Sequence, residues 1–248
     1  PIMETTVHSA LRAASDTLDD LEMLRIATGN RVNALTRSGP DADGIVRGYG
    51  LDVRDPMVAV VTLTHEGLIR EEKALIKSLE AEVKRTPYAE WIATHRGIGA
   101  KTVARLLGSL GDPYMNEVTG EPRTLRQLWA YAGLAVDNGV ARHPGKGASQ
   151  AEVFASGKGE VKKRAWLIVE GIVKQGRGEK YREIYDAEKV KYADTVHASE
   201  CARCTPAGRP PAPVGSPLKP GHIDARARRH VSKEILRDLW LIARAHHE

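Results

Sequence analysis

His95-Arg96-Gly97-Ile98-Gly99-Ala100-Lys101-Thr102-Val103-Ala104 is the stretch on which the fold is decided. Two glycines flank Ile98, a run of helix formers follows, and Ala104 stands where two helices would pack. The pattern predicts a helix-hairpin-helix. Gly97 and Gly99 are expected to supply backbone conformations with positive φ and to leave no Cβ in the way of an approaching group. Ile98 plugs the turn into the core. The N–H groups of Gly99, Ala100, Lys101 and Thr102 then face outward at the start of the second helix, where the dipole favours an anion. Lys101 adds a full charge. Such a corner grips a sugar–phosphate backbone and reads no sequence; the alternative is a structural glycine turn without a ligand.

Outward from this corner the chain reads as helix. Residues 4–37 carry apolar side chains at three- and four-residue spacing, from Val7 and Leu11 to Leu24 and Val32. Residues 38–55, rich in Gly, Asp and Pro, read as a loop, and the helical period returns at 57–85. These two segments predict an antiparallel hairpin, either a coiled coil that also pairs two chains or a set of core helices. Shorter helices are expected at 88–94, 100–110, 124–132, 161–174 and 181–196. Residues 136–160 show weak periodicity. The segment 205–221 holds six Pro and three Gly, so it must be irregular. The last helix, about 223–246, is amphipathic and basic. The fold class is therefore all-α, divided as 3–86 (helical hairpin), 87–196 (helix-hairpin-helix) and 197–248 (a metal-stabilised loop and the basic helix).

Composition agrees. Of 248 residues 42% are hydrophobic, enough for a core, and the single Phe argues against a large sheet. No apolar run reaches the roughly 18 residues of a membrane span, and no signal sequence is evident, so a cytoplasmic protein is expected. The net charge of +5 is compatible with polyanion binding without requiring it. The distribution says more, because Lys and Arg crowd into 158–182 and 226–237. Lys158, Lys162, Lys163 and Arg164 lead into an apolar run. They are expected to start a helix on a phosphate-facing surface, or to form a plain solvated face.

The segment Arg96–Leu107 is similar to the hairpin of the DEDD-type insertion-sequence transposases of the IS-one-ten and IS-one-sixteen type. About thirty residues on, Gln127-Leu128-Trp129-Ala130-Tyr131-Ala132-Gly133-Leu134 resembles that family's "QLxAYxGL" segment, in the same order and spacing. The resemblance covers about residues 60–190. It implies DNA binding and recombination. In that family an amino-terminal RuvC-like domain supplies metal-binding acids, and a serine past "AYxGL" attacks DNA. Here the first hundred residues lack βαβ alternation, and the serine's place falls near Ala141 or Arg142, without a hydroxyl. No catalytic residue is therefore assigned. A truncated or phage-borne relative that binds DNA is expected.

Only two cysteines occur, Cys201 and Cys204, so no disulfide framework is expected. His197, Cys201, Cys204 and His222 follow the spacing H-x3-C-x2-C-x17-H, which suits a tetrahedral zinc site holding the proline-rich loop. His230 is a rival for the fourth position, and a free or redox-active thiol pair is the alternative. Three functions are carried forward. The first is a DNA-binding protein for duplex or branched DNA, with a guide RNA as a further candidate partner and a homodimer through the helical hairpin. The second is a recombinase or nuclease using Asp112, Asp137, Glu152 and Glu160. The third is a protein-interaction module.

Overall fold

The computed structural model describes residues 2–137, 140–141, 145, 147–206 and 208–248; of residues 2–7, 137, 140 and 141 only the backbone is described. The chain is helical, as expected. Its helices are α1 (Ile2–Thr36), α2 (Pro56–Val83), α3 (Ala89–Thr94), α4 (Ala100–Leu110), α5 (Leu125–Tyr131), α6 (Gln150–Ala155), α7 (Gly159–Gln175), α8 (Lys180–Lys191) and α9 (Pro220–His247). Between α5 and α6 lies a minimal antiparallel hairpin, β1 (Val136–Asp137) with β2 (Val140–Ala141). A 3-10 turn spans Ala202–Cys204.

The helix starts are written in the residues. Asp55 caps α2, its side chain accepting from the N–H groups of Met57 and Val58, and Pro56 takes the first helical position, where no N–H is needed. Thr124 with Gln127 and Ser149 with Glu152 form reciprocal capping boxes for α5 and α6. Helix α6 was not expected from periodicity. Its six residues are too few to show a period, although the cap signal at Ser149 is present.

Helices α1 and α2 run antiparallel: Arg25 of α1 pairs with Glu72 of α2, and Gly29 lies against His65. Helix α1 continues across α4 at Gly108, where a Cβ would stand 2.7 Å from the Leu11 carbonyl oxygen. One apolar cluster joins Leu11, Leu79, Leu107, Leu128, Ile172 and Leu239, so the stretches 3–86, 87–196 and 197–248 share a core. Each such side chain stabilises the fold by about 2 kcal/mol through burial. Trp91 of α3 donates to the Tyr181 hydroxyl (2.8 Å), which donates in turn to Asp238 (2.6 Å), tying α3, α8 and α9 together. The end of the α1–α2 hairpin furthest from this core leaves Met23, Leu24, Ile26, Met57, Val60 and Leu63 exposed. Among the described residues no helix is long and apolar enough to cross a membrane.

Candidate metal centre and the glycine hairpin

The glycine corner forms as a turn, with one correction. Gly97 has φ +89°, but Gly99 has φ −95° and ψ 139°, an extended conformation open to any residue, and serves as the N-cap of α4. The demand for glycine at 97 comes from packing as well as φ. A Cβ there would lie 2.9 Å from Ile172 Cα, and one on Gly171 would lie 2.5 Å from the Gly97 carbonyl oxygen. The turn therefore sits directly on the backbone of α7. Ile98 is buried, as expected, while Gly99 is exposed and Ala100 partly covered. The Thr102 hydroxyl donates back to the Gly99 carbonyl at 2.7 Å.

The cations near this corner are largely engaged. Lys101 pairs with Glu22 of α1 at 2.8 Å. Arg105, one turn on, pairs with both Asp19 and Glu22. Arg164 was expected on a phosphate-facing surface. Instead its side chain is only 2% exposed and pairs with Asp19 and Glu160, because its position on α7 faces the core rather than solvent. Burial and the neighbouring Arg164 charge push the Arg105 guanidinium down to about 10. Lys158 donates to the Ser109 carbonyl at 2.6 Å, Lys162 is partly buried, and Lys163 is exposed. Sequence reading missed Asp19 and Glu22, whose i, i+3 spacing on α1 was the available signal.

The acidic candidates take structural parts. Asp112 accepts from the N–H groups of Tyr114 and Met115 at 2.7 and 2.8 Å and faces His247 at 2.7 Å. Glu152 completes the α6 cap and Glu160 leans toward Arg164. The side chain of Asp137, and the place near Ala141 and Arg142 where the transposase serine would fall, lie outside the described side chains.

Among the described residues one group of His, Cys, Asp and Glu side chains is close enough to share an ion: His197, Cys201, Cys204 and His222, their ligand atoms all within 4.8 Å of one another. The proline-rich segment closes this group by pairing with the chain after α8. His197 N–H donates to Ser216, Gly215 N–H to His197, and Leu218 N–H to Thr195, while Cys201 and Ala212 exchange both bonds at 3.0 Å. On the proline-rich strand the donors Ala212, Gly215 and Leu218 are non-proline residues, since the prolines there have no N–H to give. His222 comes from the first turn of α9. Its Nδ1 lies 3.6 Å from Cys201 Sγ and 3.4 Å from Cys204 Sγ. Around a tetrahedral zinc with bonds of roughly 2.0 Å to nitrogen and 2.3 Å to sulfur, the nitrogen–sulfur separation is about 3.5 Å. His197 is 3% exposed, and its Nε2 is buried without a hydrogen-bond partner, a state that a metal bond relieves. Burial first, then the charges of Arg226 and Arg203, push His222 down to about 4, so the imidazole is neutral with a free lone pair. These residues could hold a metal ion. His230, the rival ligand, instead faces Tyr192 at 3.2 Å and Glu188 at 3.4 Å.

Beside this group lies a concentration of positive charge. Arg226, Arg229 and Lys233 stand at i, i+3 and i+7 on α9, Lys162 comes from α7, and Arg203 sits between the two cysteines. Burial and the charges of Arg203 and Arg226 lower Arg229; burial and Arg229 lower both Lys162 and Lys233. Lys233 lies over the Trp129 ring at 5.0 Å and Arg226 over Tyr192 at 5.2 Å. Among the described residues none of these five cations is in an ion pair, in contrast to Lys101, Arg105 and Arg164. Comparison with protein-family models, with curated proteins and with solved structures returned no match to this chain.

Proposed function

We propose that the chain is a zinc-stapled helical DNA-binding protein, related to DEDD-type transposases, that holds the phosphate backbone. The observation that carries this reading is the crowding of Lys162, Arg203, Arg226, Arg229 and Lys233, whose charges act on one another and none of which is in an ion pair among the described residues. Like charges repel, so such a face is retained at a cost unless a polyanion answers it. Within this reading α9, rather than the glycine corner, supplies most of the phosphate contacts. The corner's part is to seat α4 on α7, because Glu22 already neutralises Lys101. Trp129 and Tyr192 under the cations add rigid apolar floors that hold amines and guanidiniums in place.

Zinc is the ion assigned to His197, Cys201, Cys204 and His222, since two thiolates and two imidazoles match its preference. Exposed Met23, Leu24, Met57 and Val60 on the α1–α2 hairpin favour a homodimer through that element. The test is an electrophoretic-shift series of the zinc-loaded protein on duplex, single-stranded and four-way DNA and on RNA, with divalent metal present. Binding of duplex or four-way DNA in the micromolar range or tighter is expected, without strand cleavage. Failure to shift any DNA overturns the reading. Cleavage that disappears on chelation replaces it with the recombinase.

A further inference from the structure

The cation cluster has a focal point. Arg229 projects from the middle of the α9 stripe, and its Nη1 is buried with no hydrogen-bond partner. Two other cations from different parts of the fold lie close enough to act on it or be acted on through their charge: Arg203 on Arg229, and Arg229 with Arg203 on Lys162. Lys162 comes from the first turn of α7, which packs along α9, and Arg203 from the 3-10 turn, which also touches α9. Lys162 and Arg229 are fixed by the helical core. Arg203 is not. It belongs to a four-residue knuckle whose ends are Cys201 and Cys204, in a segment with few apolar side chains. Its position relative to Arg229 depends on the two thiols and on His222, the residue seven before Arg229 on the same helix, beside the backbone pairing of Cys201 with Ala212.

We infer that Lys162, Arg203 and Arg229 form one seat for a tetrahedral oxyanion, and that metal binding at His197, Cys201, Cys204 and His222 assembles it by fixing Arg203. An unpartnered guanidinium nitrogen has its donors ready for an oxyanion, and arginine presents them in a fork that matches a phosphate. The seat therefore takes a phosphate or phosphodiester group. Its use on a nucleic-acid backbone rests on the function proposed above, whereas the seat itself does not. Coupling follows from geometry. The same loop that closes the metal cage carries one third of the anion cage, so each ligand favours the arrangement the other needs. Linkage is reciprocal, and the factor by which metal tightens the anion must equal the factor by which the anion tightens the metal.

Sulfate, a tetrahedral dianion that does not precipitate zinc, is the probe. The zinc-loaded chain is titrated calorimetrically with sodium sulfate against chloride at equal ionic strength, beside Arg203→Gln, Arg229→Gln and Lys163→Gln. Saturable binding is expected, weakened about tenfold by loss of either arginine and unchanged by the Lys163 substitution. Arg203 is exposed and is not a ligand, so the cobalt-substituted protein should keep its tetrahedral absorption in Arg203→Gln. Zinc affinity, measured by competition with a chromophoric chelator, should rise severalfold in saturating sulfate for the parent and not for Arg203→Gln. Equal sulfate binding by parent and both arginine variants overturns the seat. Zinc affinity indifferent to sulfate, with sulfate binding intact, overturns the coupling. DNA shifts run on the same samples separate the two readings: DNA binding without a sulfate site sinks only this inference, and a sulfate site without DNA binding sinks only the proposed function.

Discussion

Asp19 shows how a single side chain can redirect a surface. It and Glu22, one turn apart on α1, take up Lys101, Arg105 and Arg164, which all lie near the glycine corner in sequence or space. The cost of their absence is predictable. In Asp19→Ala the Arg164 side chain, 2% exposed, would be left charged and without its main partner. Breaking a buried pair from one side costs about 3 kcal/mol, far more than the pair itself contributes. Urea unfolding should show that loss, with Asp20→Ala, at an exposed position on the same helix, close to parent. A loss below about 0.5 kcal/mol in Asp19→Ala would mean that Arg164 reaches water and that the pairing is incidental. This is also where sequence reading stopped. The positive φ at Gly97 and the helix caps are set by near neighbours and could be read from local pattern. Which cations stay free depends on which acids lie across a helix interface, as Asp19 does 145 residues before Arg164, and no local pattern records that. The Gly99 expectation failed for a related reason: a GxG pair permits two positive φ values, yet one at Gly97 already turns the chain.

Among the elements, the long helices were legible because their apolar period persists for many turns, and α4 falls at Ala100–Leu110 as expected. The ribbon formed by 195–201 and 212–218 was legible only through its ligands. Its prolines forbid a regular ladder, and its two buried apolar side chains, Ala212 and Leu218, are too few to show a period. Metal should therefore govern this element almost alone. Chelation is expected to leave the helical circular dichroism nearly unchanged while the amides of His197, Cys201, Ala212 and Gly215 exchange on the order of 100-fold faster. Cys204→Ser should reproduce that pattern. Unaltered protection after verified metal removal would show that the backbone pairs suffice and that no ion is needed. The tie among α3, α8 and α9 makes a different prediction. Burial raises the Asp238 carboxyl, but hydrogen bonds from Lys180 and Tyr181 outweigh it and hold the group below its ordinary value. A carboxylate depressed in the folded state contributes stability that is present above its unfolded value near 4 and is lost as pH falls through the folded one. Asp238→Asn should flatten the fall in stability below about pH 4 relative to parent. Parallel pH profiles for the two proteins would show that Asp238 is not a source of that loss.

At the scale of the whole molecule, charge is sorted rather than spread. The net excess is modest at +5, and its distribution matters more. Helix α1 lays acids over Lys101 and Arg105 of α4 and Arg164 of α7, while among the described residues Arg226, Arg229 and Lys233 of α9, Arg203 of the knuckle and Lys162 have no ion pair. A polyanion approaching the chain therefore meets one face that repels itself and another that is already neutral. Counterion release turns this into a number, since the logarithm of affinity for duplex DNA falls against the logarithm of salt by about 0.9 for each phosphate neutralised. With five free cations on the face a slope of about −4.5 is expected for the zinc-loaded protein. Lys162→Gln with Arg229→Gln should make that slope shallower by about 2. Lys101→Gln should change it by less than about 0.5, because that ammonium is already spent on Glu22. The reverse ranking, with Lys101 dominant and the α9 pair silent, would return phosphate gripping to the glycine corner. It would require Glu22 to release Lys101 on binding, which a rise in affinity for Glu22→Gln would reveal.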